Sequence, residues 1–132
     1  MIKKIFFTFL LLLLLSVNSY SAGSSDNSKT KTSYDKAVAY IKSAKKYEKK
    51  DKIKKANKSY EKALKLLIKS NKKKPNNPDT LNYLGFTTRK LGDYEGGEKF
   101  YLEGLAIEPN HIGINEYLGE LYVVTNRISL AK

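Results

Sequence analysis

Few side chains in this chain of 132 residues could carry out catalysis or bind a metal. There is one histidine, His111, and there is no cysteine, which excludes disulfides, thiolate metal sites and a cysteine nucleophile. His111 follows Pro109 and Asn110 in a turn and has no serine or carboxylate motif beside it. We therefore expect a solvent-exposed imidazole without a catalytic or metal-binding role.

Acidic side chains cluster at Asp93, Glu95 and Glu98, and paired carboxylates can serve as general acids and bases. These three stand at the predicted start of a helix, where the helix dipole favours negative charge without any catalytic role. The HExxH, GxSxG, P-loop and GxGxxG motifs do not occur in the sequence. The sequence predicts a protein that is not an enzyme and that uses no cofactor.

The charge of the chain is divided unevenly between its two halves. Eighteen lysines stand against four acidic residues between Lys29 and Lys74, a net charge of +14, whereas five basic and eight acidic residues between Asp79 and Lys132 give −3. Such asymmetry can mark an anionic partner, for example nucleic acid, anionic lipid or an acidic protein. The alternative is compositional drift, because every basic residue of the first half is lysine and basic recognition grooves usually use arginine. The ten tyrosines fall mostly at core spacing, so a stacking platform for nucleic acid is not expected.

The first residues have the layout of a targeting segment. Lys3 and Lys4 precede an apolar run from Ile5 to Leu15, and small polar residues follow as far as Ala22. This is the three-part pattern of a secretory signal peptide, and the run is shorter than the ~20 apolar residues that span a membrane. We predict a signal peptide at residues 1–22, a flexible serine-rich linker at 23–32, and a periplasmic or secreted protein with no stable membrane span after cleavage. The alternative is an uncleaved N-terminal anchor.

The first two predicted helices carry most of the lysines. Thr32 and Asp35 have the spacing of a capping box, and the apolar residues after it recur on one helical face: Tyr34, Ala37, Val38, Ile41 and Ala44. A lysine-rich connection with its boundary near Asp51 leads to a second helix, which must end before Pro75. The apolar face of this second helix is formed by Ile53, Ala56, Tyr60, Ala63, Leu64 and Leu67.

The later helices have sharp start and stop signals. Asn77 followed by Pro78 is a favourable helix start. Gly92 is predicted to end the third helix in a left-handed conformation, and Asp93 to cap the fourth helix directly. Asn126 repeats the role of Gly92 before a sixth helix near residue 128. No alternation typical of a strand occurs, so the chain is predicted to be all-α.

Like residues recur at a fixed spacing of 34. The pairs are Pro75 and Pro109, Tyr60 and Tyr94, Ala63 and Gly97, Ser70 and Gly104, Tyr83 and Tyr117, Leu84 and Leu118, and Gly85 and Gly119. A constant period of this length indicates an array of helical hairpins. Small residues at Gly97 and Gly104 lie two turns apart, where we expect helix backbones to approach closely.

The period and the hairpin unit resemble the tetratricopeptide repeat, especially in the small exported bacterial proteins of that family. The residues that match its motif are Leu84, Gly85, Gly92, Asp93, Tyr94, Gly97, Tyr101, Gly104 and Pro109, then Leu118, Gly119, Tyr122 and Ala131. Leu81 and Thr88 replace the usual tryptophan and tyrosine. The resemblance implies tetratricopeptide-like helical hairpins forming a short right-handed α-solenoid at 33–132, with units at about 33–77, 78–111 and an incomplete 112–132. The first helix of the first unit looks lengthened.

The resemblance also implies a function, because the first helix of each unit lines a concave groove in this family and binds another protein. The matching positions are Asp79, Asn82, Phe86, Arg89, Lys90, Glu116, Glu120 and Val123. Phe86 is predicted to take an apolar side chain of the partner, and Asn82, Arg89 and Lys90 to hold a backbone or carboxylate group. The two-residue basic clamp for C-terminal carboxylates is not matched, because Phe86 occupies a position where that clamp needs a polar residue.

The last unit is short by most of a helix. Repeat arrays usually end on a polar cap, so we expect Tyr117, Leu118, Leu121 and Tyr122 to lose most of their cover. Two interpretations follow: a shortened form of a longer array, or an edge that self-associates with a second copy. The sequence thus predicts a non-catalytic module for protein–protein interaction or assembly, with a lysine-rich electrostatic adaptor for an anionic surface or polymer as the alternative.

Overall fold

The computed structural model describes residues 30–131, so the signal peptide and most of the linker predicted above lie outside the described residues. Five α-helices follow one another: α1 Ser33–Glu48, α2 Ile53–Lys73, α3 Pro78–Lys90, α4 Tyr94–Ile107 and α5 Ile112–Val124. A 3-10 turn, Ile128–Leu130, comes last. Residues 30–131 contain no strand, and the predicted all-α fold of helical hairpins is confirmed. None of the helices in this part of the chain has the length and apolar character needed to cross a membrane.

The helices pack as two hairpins and a fifth helix. α1 lies against α2, α3 lies against α4, and α5 lies against α4 and α3. α3 also lies against α2 and contacts α1, and Lys45 of α1 bonds to Tyr117 of α5. α1, α3 and α5 therefore form one layer, against which α2 and α4 pack separately. This is the arrangement in which the first helix of each hairpin lines a common face.

The predicted start signals are confirmed. Thr32 Oγ1 accepts a hydrogen bond from Asp35 N at 3.1 Å, and Asp35 Oδ2 accepts one from Thr32 N at 2.9 Å, which completes the capping box. Asn77 Oδ1 caps α3 through Thr80 N at 2.8 Å, with Pro78 as the first helical residue. These caps satisfy backbone amides that the first helical turn cannot pair internally.

The predicted left-handed breaks are also confirmed. Gly92 has φ +99° and Asn126 has φ +59°, a region that glycine and asparagine adopt more readily than other residues. Asp51 adopts φ +54° and turns the chain between α1 and α2. The boundary that the sequence left ill-defined is therefore a single tight turn.

The first helix of the first unit is lengthened as expected, and a short sixth element begins where one was expected, at Ile128. The extension of the first unit is greater in its second helix, because α2 has 21 residues against 14 in α4, whereas α1 has 16 against 13 in α3. The sixth helix is a 3-10 turn of three residues, which has room for one hydrogen-bonded turn only.

The expectation that apolar residues of α5 lose most of their cover was wrong, because Leu118 and Leu121 are buried. The turn after α5 folds back over the helix. Arg127 binds Glu98 of α4 with two hydrogen bonds of 2.7 and 3.0 Å and lies 4.9 Å from the ring centroid of Tyr122. A local ion pair thus covers part of the edge that a further repeat would otherwise cover.

The close approach predicted at the small residues of α4 is confirmed. A Cβ built on Gly97 would lie 2.9 Å from the backbone oxygen of Gly85, and one built on Gly104 would collide with the side chain of Ile114. α3 and α5 therefore both pack tightly against α4, and this fixes the spacing of the layer that contains α1, α3 and α5.

Candidate functional site

An open groove of about 520 Å³ runs along the exposed side of α1 next to α3. Its lining residues are Val38, Ile41, Lys42, Lys45, Lys46, Lys49 and Tyr83. Five of the seven belong to α1, Lys49 is the C-cap residue of that helix, and Tyr83 is the contribution of α3. We call this feature the α1 groove.

The sequence of α1 explains why these residues share one side. The residues form two neighbouring rows, 38, 42, 46 and 49 and 38, 41, 45 and 49, whose successive members are three or four apart. This spacing places side chains above one another on a helix. Ile41 is buried and Val38 is half-buried, whereas Lys42, Lys46 and Lys49 are exposed. The groove therefore has an apolar floor and a rim of ammonium groups.

Lys45 differs from the other lysines of the groove because its side chain contacts residues of two further helices, α3 and α5. Its Nζ donates a hydrogen bond of 3.1 Å to Tyr117 Oη of α5. The same Nζ lies 4.5 Å from the ring centroid of Phe86 and 5.4 Å from that of Tyr117, within the range of cation–π attraction. These contacts connect α1 to α3 and α5 within the layer that the three helices form, which we call the inner layer.

Tyr83 closes the groove on the α3 side. Its ring is tilted by 58° against that of Tyr34, with the centroids 5.9 Å apart. Burial raises the pKa of Tyr34 to about 12, and the charge of Asp79 acts in the same direction. The Tyr34 ring therefore stays neutral at physiological pH and gives Tyr83 an apolar neighbour.

All eight groove residues predicted from the sequence lie on α3 and α5. Three of them are buried. Phe86 is 4% exposed, Asn82 7% and Arg89 8%. The ring of Phe86 packs against Tyr60 at 5.9 Å and Tyr117 at 4.8 Å between centroids. Phe86 therefore holds the inner layer together and offers little surface to a partner. A binding role for the eight residues stays a prediction.

The basic groups predicted to hold a carboxylate already have carboxylate partners within the chain. Arg89 Nη2 lies 2.7 Å from Glu120 Oε2, and Lys90 Nζ lies 2.6 Å from Glu48 Oε1. Of the remaining predicted residues, Asp79, Glu116 and Val123 are exposed. A positive surface available to a partner therefore lies on α1, two helices before the basic residues of α3 that the resemblance assigned to the groove.

Sequence reasoning missed the α1 groove. Its strongest signal was present as the regular spacing from Val38 to Lys49, in which apolar residues give way to lysines on one side of the helix. Tyr83 also belonged to the 34-residue repeat. The spacing alone could not show where α3 lies. The position of α3 beside α1 turns this side of the helix into a groove.

The expectation of a solvent-exposed His111 was wrong. This residue is the N-cap of α5, and its side chain is 12% exposed. Nδ1 accepts a hydrogen bond from Ile114 N at 3.1 Å, so the ring proton is on Nε2, which donates to Asp79 Oδ1 at 3.1 Å. His111 therefore joins the start of α5 to the start of α3. No group of three metal-ligating side chains occurs between residues 30 and 131.

No protein-family model matches the chain, and no curated protein matches it either. Among solved structures, the chain is similar to one described as "MamA RS-1 ArsTM double mutant", with a TM-score of 0.53 and 24% sequence identity over 74% of this chain and 51% of that chain. The chain thus spans about half the length of that structure. MamA contains tetratricopeptide repeats, so the similarity shows a tetratricopeptide-like helical fold.

Proposed function

We propose that the chain is a non-catalytic protein-interaction module that receives a segment of another protein in the α1 groove. The observation that carries the proposal is the groove itself, a concavity of about 520 Å³ formed where α1 and α3 lie side by side. Protein–protein interfaces commonly combine an apolar centre with a polar rim. The α1 groove has both, in the floor of Val38 and Tyr83 and the rim of lysines.

The groups that could do acid–base chemistry have structural partners, and this supports a binding role. His111 caps α5, and Asp93 Oδ1 caps α4 through Gly96 N at 2.8 Å. Glu98 is bound to Arg127, and Glu95 lies 3.4 Å from Lys99. Each group is explained by helix capping or by an ion pair.

Photo-crosslinking tests the proposal. A photoreactive phenylalanine analogue is placed at Lys46 in the groove or at Lys65 on the exposed side of α2, and each protein is irradiated in intact cells. We expect a discrete crosslinked protein from position 46 that is missing from position 65. Equal crosslinking from both positions, or none from position 46, would contradict binding in the groove.

We also propose that the module acts outside the cytoplasm after removal of residues 1–22. This rests on the charged, apolar and small-residue pattern of those residues. N-terminal sequencing of the exported protein tests it, with an expected start near Gly23. A mature chain that still begins at Met1 would contradict the cleavage.

A second candidate function is electrostatic attachment to an anionic surface or polymer. It is favoured by the exposed lysines of α2, which lie on the side of the first hairpin away from the groove: Lys54, Lys58, Lys62, Lys65, Lys69 and Lys72. Such contacts weaken steeply with salt because they depend on screened charges and released counterions. Binding that disappears between low and moderate salt and does not depend on the groove would favour this function.

A further inference from the structure

We infer that the segment received by the α1 groove is an acidic peptide with interspersed apolar side chains, which rests on the proposed function. Its carboxylates would pair with Lys42, Lys46 and Lys49, and its apolar side chains would lie on Val38 and Tyr83. The inference follows from the spacing of the lysines, their lack of internal partners and the apolar character of the floor.

The rim lysines have a spacing that a peptide can match. Lys42, Lys46 and Lys49 are four and three residues apart, so they span about 10 Å along the axis of α1 at 1.5 Å per residue. Side chains on one face of an extended peptide repeat about every 6.8 Å, and those of a helix about every 5.4 Å. A peptide with acidic residues on one face can therefore meet two or three of these ammonium groups at once.

The first hairpin does not neutralise these lysines internally. Within residues 30–131, no carboxylate lies within 4.0 Å of the amines of Lys42, Lys46 or Lys49. The carboxylate at the end of α1, Glu48, already binds Lys90 through Oε1 and the hydroxyl of Tyr60 through Oε2 at 3.0 Å. The rim is therefore a cationic surface that an external anion can neutralise.

Lys45 adds a fixed positive charge near the floor. Its ammonium group has three donors, of which one is used by Tyr117 Oη at 3.1 Å. Since the side chain is already ordered by contacts with Phe86 and Tyr117, a carboxylate that binds it need not immobilise a free lysine. This distinguishes the groove from the exposed lysines of α2.

The floor favours a peptide over a polyphosphate or a membrane. Phosphate chains present no side chains that could cover Val38, Ile41 and Tyr83, whereas a peptide supplies apolar groups between its carboxylates. A flat anionic membrane would reach the convex lysines of α2 as readily as the concave rim. Dependence on the groove lysines in particular therefore identifies the acidic peptide.

The test uses a labelled peptide of about twelve residues that alternates Glu with Leu and Ser, and fluorescence anisotropy with residues 23–132. The variant K42Q/K46Q/K49Q should weaken binding about tenfold, since three exposed ion pairs are lost. The matched control K58Q/K65Q/K69Q removes the same charge from the outer side of α2 and should change affinity less than about twofold. Circular dichroism of both variants checks that these exposed substitutions leave the helices intact.

Four results would overturn the inference. One is equal weakening by the two triple variants, which would assign binding to total charge. Another is equal affinity for a peptide with Gln in place of Glu, which would leave the groove as a protein-binding site without a preference for acidic partners. The third is tighter binding to polyphosphate or phosphatidylglycerol vesicles that both variants weaken equally. Crosslinking from position 46 without binding of the acidic peptide would reject this inference and leave the proposed function standing.

Discussion

The two hairpins have the same architecture but bring their helices together by different means. In the first hairpin, α1 and α2 meet through four alanines without exposed surface: Ala37, Ala44, Ala56 and Ala63. In the second, α3 and α4 meet through Gly85 and Gly97, and the ring of Tyr101 fills the space that a side chain at Gly85 would need. A Cβ at Gly85 would lie 2.5 Å from that ring.

The difference shows two solutions to the same packing problem. Alanine is the best helix former, whereas glycine costs about 1 kcal/mol relative to it in a helix interior. The second hairpin offsets this cost by burying a whole tyrosine ring, which stabilises by roughly 1.5–3 kcal/mol or more. The first hairpin avoids the cost and can tolerate a lysine-rich surface on both of its helices.

The halves also differ in how they treat charge. In the second half, carboxylates are paired across helices, as in Arg89 with Glu120 and Arg127 with Glu98. In the part of the chain that the structure describes, one ion pair reaches the first hairpin, and it joins Glu48 of α1 to Lys90 of α3. The second half thus pairs its arginines within the fold, whereas the first half presents most of its lysines to the outside.

The largest expected effect tests the glycine packing of the second hairpin. We expect Gly97→Leu to lower the free energy of unfolding by about 3 kcal/mol, because overpacking displaces a neighbour and that neighbour is the backbone oxygen of Gly85. Urea unfolding followed by circular dichroism measures the change.

Gly119→Leu is the matched control, since a Cβ there meets nothing nearer than Ala131 O at 4.0 Å. This substitution should change stability by less than about 1 kcal/mol. An equal effect of the two substitutions would show that α3 and α4 are not in close contact at Gly97, and the contrast between the hairpins would fail.

A smaller effect compares one buried tyrosine from each hairpin. Tyr60 and Tyr101 are both without exposed surface, but Tyr60 Oη donates to Glu48 at 3.0 Å, whereas Tyr101 Oη finds no hydrogen-bond partner among the described residues. Tyr60→Phe should therefore cost about 1 kcal/mol, and Tyr101→Phe should be neutral within about 0.5 kcal/mol. Thermal and urea unfolding of both variants measure this, and a larger loss for Tyr101→Phe would reverse the comparison.

A gain in stability is expected where the first hairpin lacks a cap. The N-cap of α2 is Lys52, which makes no side-chain capping bond, whereas Asp93 caps α4. Lys52→Asp should raise the free energy of unfolding by about 0.5–1 kcal/mol. Lys65→Asp makes the same change of charge in the middle of α2 and should give no gain, so an equal gain would assign the effect to reduced lysine repulsion.

The smallest effect concerns pH at the start of α1. Two hydrogen bonds to its carboxylate lower the pKa of Asp35 below the ordinary value of 3.8. The bond from the Thr32 hydroxyl has the larger effect and the bond from the Thr32 backbone N–H the smaller one. A lowered folded pKa means that this contribution is present above pH 3.8 and is lost as the pH falls through the folded pKa. The protection of amides near Thr32, measured as the exchange rate relative to the intrinsic rate at each pH, should therefore fall below pH 3.8, and in Asp35→Asn it should not follow that titration.

Local signals in the sequence were sufficient for the fold class and for most helix bounds. Capping by Thr32 and Asn77, and left-handed breaks at Gly92 and Asn126, depend on residues within a few positions of one another, so they can be read before any tertiary structure is known. The 34-residue repeat added the order of the hairpins. The sequence did not indicate that Arg127 would fold back on Glu98, because that contact joins residues 29 apart.

The candidate site was only partly predictable for the same reason. Spacing along α1 determined that Val38, Lys42, Lys46 and Lys49 share one side of a helix, since the helical period is a local property. Which side faces a groove depended on α3 and α5 packing beside α1, and the same packing buried Phe86 and paired Arg89 with Glu120. The sequence determined which residues form each helix face, and the tertiary structure decided which of those faces are buried and which remain available to a partner.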